Sequence, residues 1–291
     1  METVIFNAAV WGILVPATIT GLLMLVEQPP WRVTSESDTP LGFGWAGALT
    51  YPLGLVIAFV GTGGAPKNIP AIAFVAVLLG LFEFGIRKPQ WARWLVRAAA
   101  ITTIMFALIG FQFTDYWETL GQDLLWGTTI VAIAALLFET FDRVGRNRPG
   151  ATVPLTMMIL AAGTAGFFAL VGTARVAQMI GALAAVAGAA TVVALWNCNT
   201  RIAPGASTAW GLLYAGLTMF ALFSLMELPP LGPFAILLVA PHLLWLGDVG
   251  PLKNLSGWKD TALRVALVGA ATAAALGWTQ TLVGGSGGSV Y

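Results

Sequence analysis

"AQMIGALAAVAGAATVVAL", residues 177–195, holds no charged side chain, and Gln178 and Thr191 are its only polar ones. A helix of about 20 such residues crosses the hydrocarbon core of a bilayer. The stretch is also built almost wholly from small residues. Gly181, Ala185 and Gly188 or Ala189 recur at helical spacing. In lipid, small side chains let helix backbones approach closely. The same signature recurs at Gly163, Ala165 and Gly166, and at Gly269 with its run of alanines. The sequence therefore predicts a close-packed membrane helix bundle, tightest in its second half.

Composition agrees. Of 291 residues, 58% are hydrophobic and 9% charged, against roughly 25% charged in soluble domains. A net charge of +1 without a basic tail leaves no footprint for nucleic acid. One cysteine, Cys198, excludes an internal disulfide and a cysteine metal cluster. One histidine, His242, excludes a bis-histidine haem within this chain. No cofactor or metal site is expected.

Apolar runs broken by Gly, Pro and charged residues give ten spans. They are 4–26, 42–62, 69–86, 95–114, 121–141, 152–173, 175–196, 206–227, 232–247 and 262–283. The fold class expected is an all-α polytopic membrane bundle, one transmembrane domain over 1–283. A flexible Gly/Ser-rich tail follows at 284–291. The first span has no basic residue before it and reads as a retained helix, not a signal peptide.

Lys and Arg set the orientation. The odd-numbered joints carry Arg32; Arg87, Lys88, Arg93 and Arg97; Arg143, Arg146 and Arg148; Arg201; and Lys253, Lys259 and Arg264. The other joints and both termini carry only Lys67 and Arg175. Both termini are thus expected outside the cytoplasm, in a multi-pass protein of bacterial inner-membrane type. Trp31, Trp91, Trp94, Trp117, Trp196, Trp258 and Trp278 fall near span ends, where indole rings favour the interface.

Two glutamates sit before paired prolines, Glu27 in "LMLVEQPPW" (23–31) and Glu227 in "FSLMELPPL" (223–231). The first span runs inward and the eighth outward, so the two lie at opposite faces. They read as independent helix stops, because proline and the residue before it leave helical geometry. A closer match is "LFEFGIR" (81–87) with "LFETFDR" (137–143). Glu83 to Arg87 and Glu139 to Arg143 are i,i+4 pairs in the favourable order. They are expected to be interfacial ion pairs; a proton or cation relay is the rival reading.

No zinc-protease or phosphate-loop motif occurs in the chain. The remaining polar groups cluster at proline breaks. Thr18 and Thr20 follow Pro16, Thr50 and Tyr51 precede Pro52, and His242 follows Pro241. Proline leaves a carbonyl unpaired, and broken spans build substrate sites in transporters. If the first, second and ninth helices met, these five side chains would line a weakly polar pocket for a neutral molecule.

Ten spans in this length also describe drug/metabolite transporters, but their termini lie in the cytoplasm and their halves match, unlike this chain. Membrane acyltransferases share the span count without the His and Asp signature here. No family is assigned. Two function classes remain. One is a non-catalytic accessory subunit of a larger membrane complex, with lipid and other membrane subunits, or a second copy, as partners. The other is a permease for a neutral or apolar molecule.

Overall fold

The computed structural model describes residues 10–27, 45–61, 69–85, 90–109, 120–148, 150–197, 202, 204–224 and 230–285. These form ten α-helices and no strand. They are α1 (Val15–Glu27), α2 (Trp45–Gly61), α3 (Ile69–Gly85), α4 (Gln90–Ile109), α5 (Leu120–Asn147), α6 (Thr152–Leu170), α7 (Ala174–Trp196), α8 (Pro204–Ser224), α9 (Leu231–Val239) and α10 (Trp258–Gly285). A π-helical turn, Val10–Leu14, leads into α1. Among the described residues six helical segments are long and apolar enough to cross a membrane, including Thr152–Leu170, Ala174–Trp196 and Gly205–Phe223. Shorter apolar helices lie at Ala46–Ala58 and Ile72–Glu83.

Each sequence span has its helix, but two boundaries move in ways that matter. α4 begins at Gln90, so Arg97 sits about two turns inside it. α5 runs on to Asn147, which carries Asp142 and Arg146 on helix instead of loop. Helix α10 continues to Gly285, so the expected tail is helical at its first residues; 286–291 lie outside the described residues.

The hub is α8. Its residues 205–223 are 89% buried, as expected of a helix apolar all round. It packs against α2, α3, α4, α5 and α7. The most intimate pair is α6 with α7, and α10 lies against α6. Glycine sets these distances. A Cβ on Gly163 would overlap Thr272 of α10, one on Gly47 would overlap Ala206 of α8, and one on Gly211 would overlap the Phe138 ring of α5. Gly188 likewise meets Met158, with 3.2 Å to its sulfur. Gly181 and Gly269 do not serve this purpose, since a Cβ there meets nothing within 4 Å.

Pro241 divides the ninth span. α9 gives way to a 3-10 helix over Ala240–Asp248, with the proline in its first turn, and then to a second over Gly250–Asn254. Proline removes an i→i−4 bond and clashes with the preceding turn, so the tighter coil starts there. At the other end of the chain, the Glu27 carboxylate accepts a hydrogen bond from the Ala46 backbone N–H at 3.1 Å. It therefore satisfies the free N-terminus of α2, where a negative charge is favoured. Glu227 lies outside the described residues.

Candidate functional site: buried ionic networks and a recess

Four helices deliver charge to one point. Glu83 comes from the end of α3, Arg97 from α4, Asp142 from α5, and Ser207 and Thr208 from the first turns of α8. Arg97 Nε donates to Glu83 Oε1 at 2.8 Å and Nη2 to Oε2 at 2.6 Å. The same Nη2 donates to Asp142 Oδ2. Ser207 Oγ donates to the other Asp142 oxygen, and Thr208 Oγ1 to Glu83 Oε2 at 2.6 Å. Glu83, Arg97 and Asp142 are each buried. The two carboxylates also lie at the N-terminal end of α8, whose dipole favours them.

The sequence offered Arg87 as the partner of Glu83. Arg87 lies outside the described residues, and the cation that holds Glu83 is Arg97. A buried carboxylate needs a partner that is buried with it, and Arg97 meets that need from the neighbouring helix. Glu139 has an ion pair with Arg146 at 3.8 Å, and Arg143 is exposed. That pair is partly open to its surroundings.

A second network closes the same end of the bundle. Fully buried Arg264 of α10 donates from Nε to Asp260 at 2.9 Å, from Nη2 to Asp248 at 2.6 Å, and from Nη1 to the Leu244 carbonyl. Arg148 approaches Asp248 and Asp260, each at 3.5 Å. Thr152 and Thr261 share a hydroxyl bond of 2.7 Å beside them. Two arginines and two aspartates thus bind α5, the 3-10 segment and α10 together.

The side chains at the proline breaks fall in different surroundings. α1 and α2 pack on each other and on α7, and α2 also packs on α3 and α8. The His242 segment packs on α10 and α5. Thr18 is exposed and donates to the Leu14 carbonyl at 2.8 Å. Thr20, Thr50 and Tyr51 are fully buried, and their hydroxyls have no hydrogen-bond partner among the described residues. His242 is half-buried and its Nδ1 lies 2.8 Å from Thr140 Oγ1. No group of three or more His, Cys, Asp or Glu among the described residues is placed to hold a metal.

Above the first network the core turns aromatic, then opens. The Arg97 guanidinium lies 5.6 Å from the Phe138 ring centre. Phe141 meets Trp210 edge-on at 5.4 Å, and Trp210 stacks on Tyr214 at 4.9 Å. Beyond Tyr214 lies an open-sided recess between α5, α8 and α9, lined by Ile130, Leu137, Tyr214, Thr218, Phe234 and Leu238 among others. The Tyr214 hydroxyl is bonded to Thr164 at 2.7 Å.

No protein-family model, curated protein or solved structure matches this chain.

Proposed function

We propose that this protein is a non-catalytic subunit of a larger membrane assembly, crossing the membrane ten times with both termini outside the cytoplasm. The observation that carries the reading is how the buried ionisable groups are used. Glu83, Arg97, Asp142, Asp260 and Arg264 are spent on one another and on neighbouring hydroxyls and carbonyls. A proton pathway or catalytic site keeps such a group facing a cavity. Here they tie helices into a stiff scaffold. The exposed face of α10 gives a partner a place to pack: Ala262, Ala266, Ala270, Ala273 and Gly277 recur there at helical spacing.

Purification from native membranes in mild detergent, followed by mass spectrometry of co-purifying chains, tests the reading. It predicts a partner, or a second copy, in fixed stoichiometry. A lone 30.5 kDa chain in both detergent and native-lipid nanodiscs would overturn it. A second reading, passage of an apolar molecule, draws support from the recess.

A further inference from the structure

The recess has chemistry of its own, independent of the subunit reading. Its depth follows from helix geometry. Thr218 stands roughly 16 Å along α8 from Ser207, and Ile133 roughly 14 Å along α5 from Asp142. Both distances count from residues of the ionic network at one end of the bundle. If that end marks the edge of a hydrocarbon core about 30 Å thick, the recess falls near mid-plane. Half-buried Ile130, Ile133 and Leu238 lie on its wall.

Among the described residues its side-chain lining is hydrocarbon apart from two hydroxyls. Tyr214 and Thr218 are one helical turn apart on α8 and both line it. Thr218 is 5% exposed. Its hydroxyl lies beside that of Tyr214 without a hydrogen bond of good geometry, and it finds no other partner among the described residues. Away from water an unmade hydroxyl bond is costly. Most threonines described here return the bond to their own helix, as Thr140, Thr156 and Thr191 do. Thr218 does not.

We propose that this recess is a binding site for an uncharged single-chain lipid that carries one hydrogen-bonding oxygen, the chemistry of a long-chain or isoprenoid alcohol. The hydrocarbon chain lies against Ile130, Leu137, Phe234 and Leu238. The oxygen meets the Thr218 hydroxyl. A carboxylate is disfavoured, because no cationic side chain lines the recess among the described residues and a bare charge at mid-membrane is expensive.

Photolabelling of the purified full-length protein tests this, with three probes that share one diazirine-bearing chain: hexadecanol, hexadecane and palmitate. The hexadecanol probe is expected to label peptides spanning 130–137 and 214–222, and excess unlabelled hexadecanol should compete. The hexadecane probe should label the same peptides more weakly, and palmitate should label them least. Thr218→Val keeps the shape and removes the hydroxyl. It should cut hexadecanol labelling about fivefold and leave hexadecane labelling unchanged. Ala215→Phe should block both, and an unchanged melting temperature certifies the fold of each variant. Labelling spread evenly over lipid-facing helices without competition would overturn the site. Competed labelling that ignores Thr218→Val would overturn the oxygen recognition.

Discussion

Arg97 holds Glu83 with both prongs of its guanidinium, at 2.8 and 2.6 Å, and reaches Asp142 with the same Nη2. One cation therefore serves two buried carboxylates from two other helices. Bidentate pairs of this kind fix geometry as well as charge. Removal of the cation is the damaging change, since it strands two negative charges.

Arg97→Met should cost about 3–5 kcal/mol, the range for an unpaired buried charge. Glu83→Gln should cost clearly less, because Arg97 and Asp142 remain a neutral pair. Glu139→Gln, at a partly exposed ion pair, should stay within about 0.5 kcal/mol. Denaturant unfolding in detergent ranks the three. Equal losses for Arg97→Met and Glu83→Gln would mean that Asp142 contributes nothing to holding Arg97.

The second network makes a steric prediction. A Cβ on Gly247 would lie 2.5 Å from Arg264 Cζ and 2.7 Å from its Nε. Arg264 is fully buried and cannot swing away without giving up Asp260, Asp248 and the Leu244 carbonyl. Gly247→Ala should therefore destabilise by about 1–3 kcal/mol, as overpacking does. Gly269→Ala is the contrast. Its Cβ meets open space in the interior of α10, and alanine is the better helix former by about 0.5–1 kcal/mol. Opposite shifts in melting temperature are expected.

The helices were legible because lipid imposes a simple rule on composition, and the run at 177–195 obeys it. The partner of Glu83 was not legible. Sequence spacing offers Arg87, four residues on, and pairs seen within one helix are the only ones that spacing can show. A faint signal existed: Arg97 and Asp142, like Glu83, fall at the inner edge of their apolar runs on the same predicted face. Groups that share a depth are available to one another. The surroundings of the proline breaks were not legible for a related reason. Pro16, Pro52 and Pro241 each mark a local irregularity, but which helices meet depends on long-range packing through α8 and α7.

Orientation makes its own prediction. Both networks gather the joints rich in Lys and Arg at one end of the bundle, and that end should face the cytoplasm. Single cysteines placed at Arg146 and Lys253, in a Cys198→Ser background, should resist membrane-impermeant maleimide in intact cells and react after permeabilisation. Reaction in intact cells would reverse the topology.

His242 supplies the last prediction, because it is the chain's single histidine. Thr140 Oγ1 lies 2.8 Å from the Leu136 carbonyl and 2.8 Å from His242 Nδ1. A hydroxyl has one proton, and a carbonyl can only accept. Thr140 therefore donates to Leu136, and the imidazole Nδ1–H donates to Thr140. The proton of the neutral ring sits on Nδ1, leaving Nε2 as a bare acceptor. Nitrogen-15 NMR of histidine-labelled protein reads one imidazole without overlap. The wild type should show a protonated Nδ1 and an unprotonated Nε2. Thr140→Val removes the acceptor, and the proton should then populate Nε2. A wild-type spectrum with the proton already on Nε2 would mean that the Thr140 hydroxyl turns from Leu136 to the ring, and that this link between α5 and the 3-10 helix runs in the opposite sense.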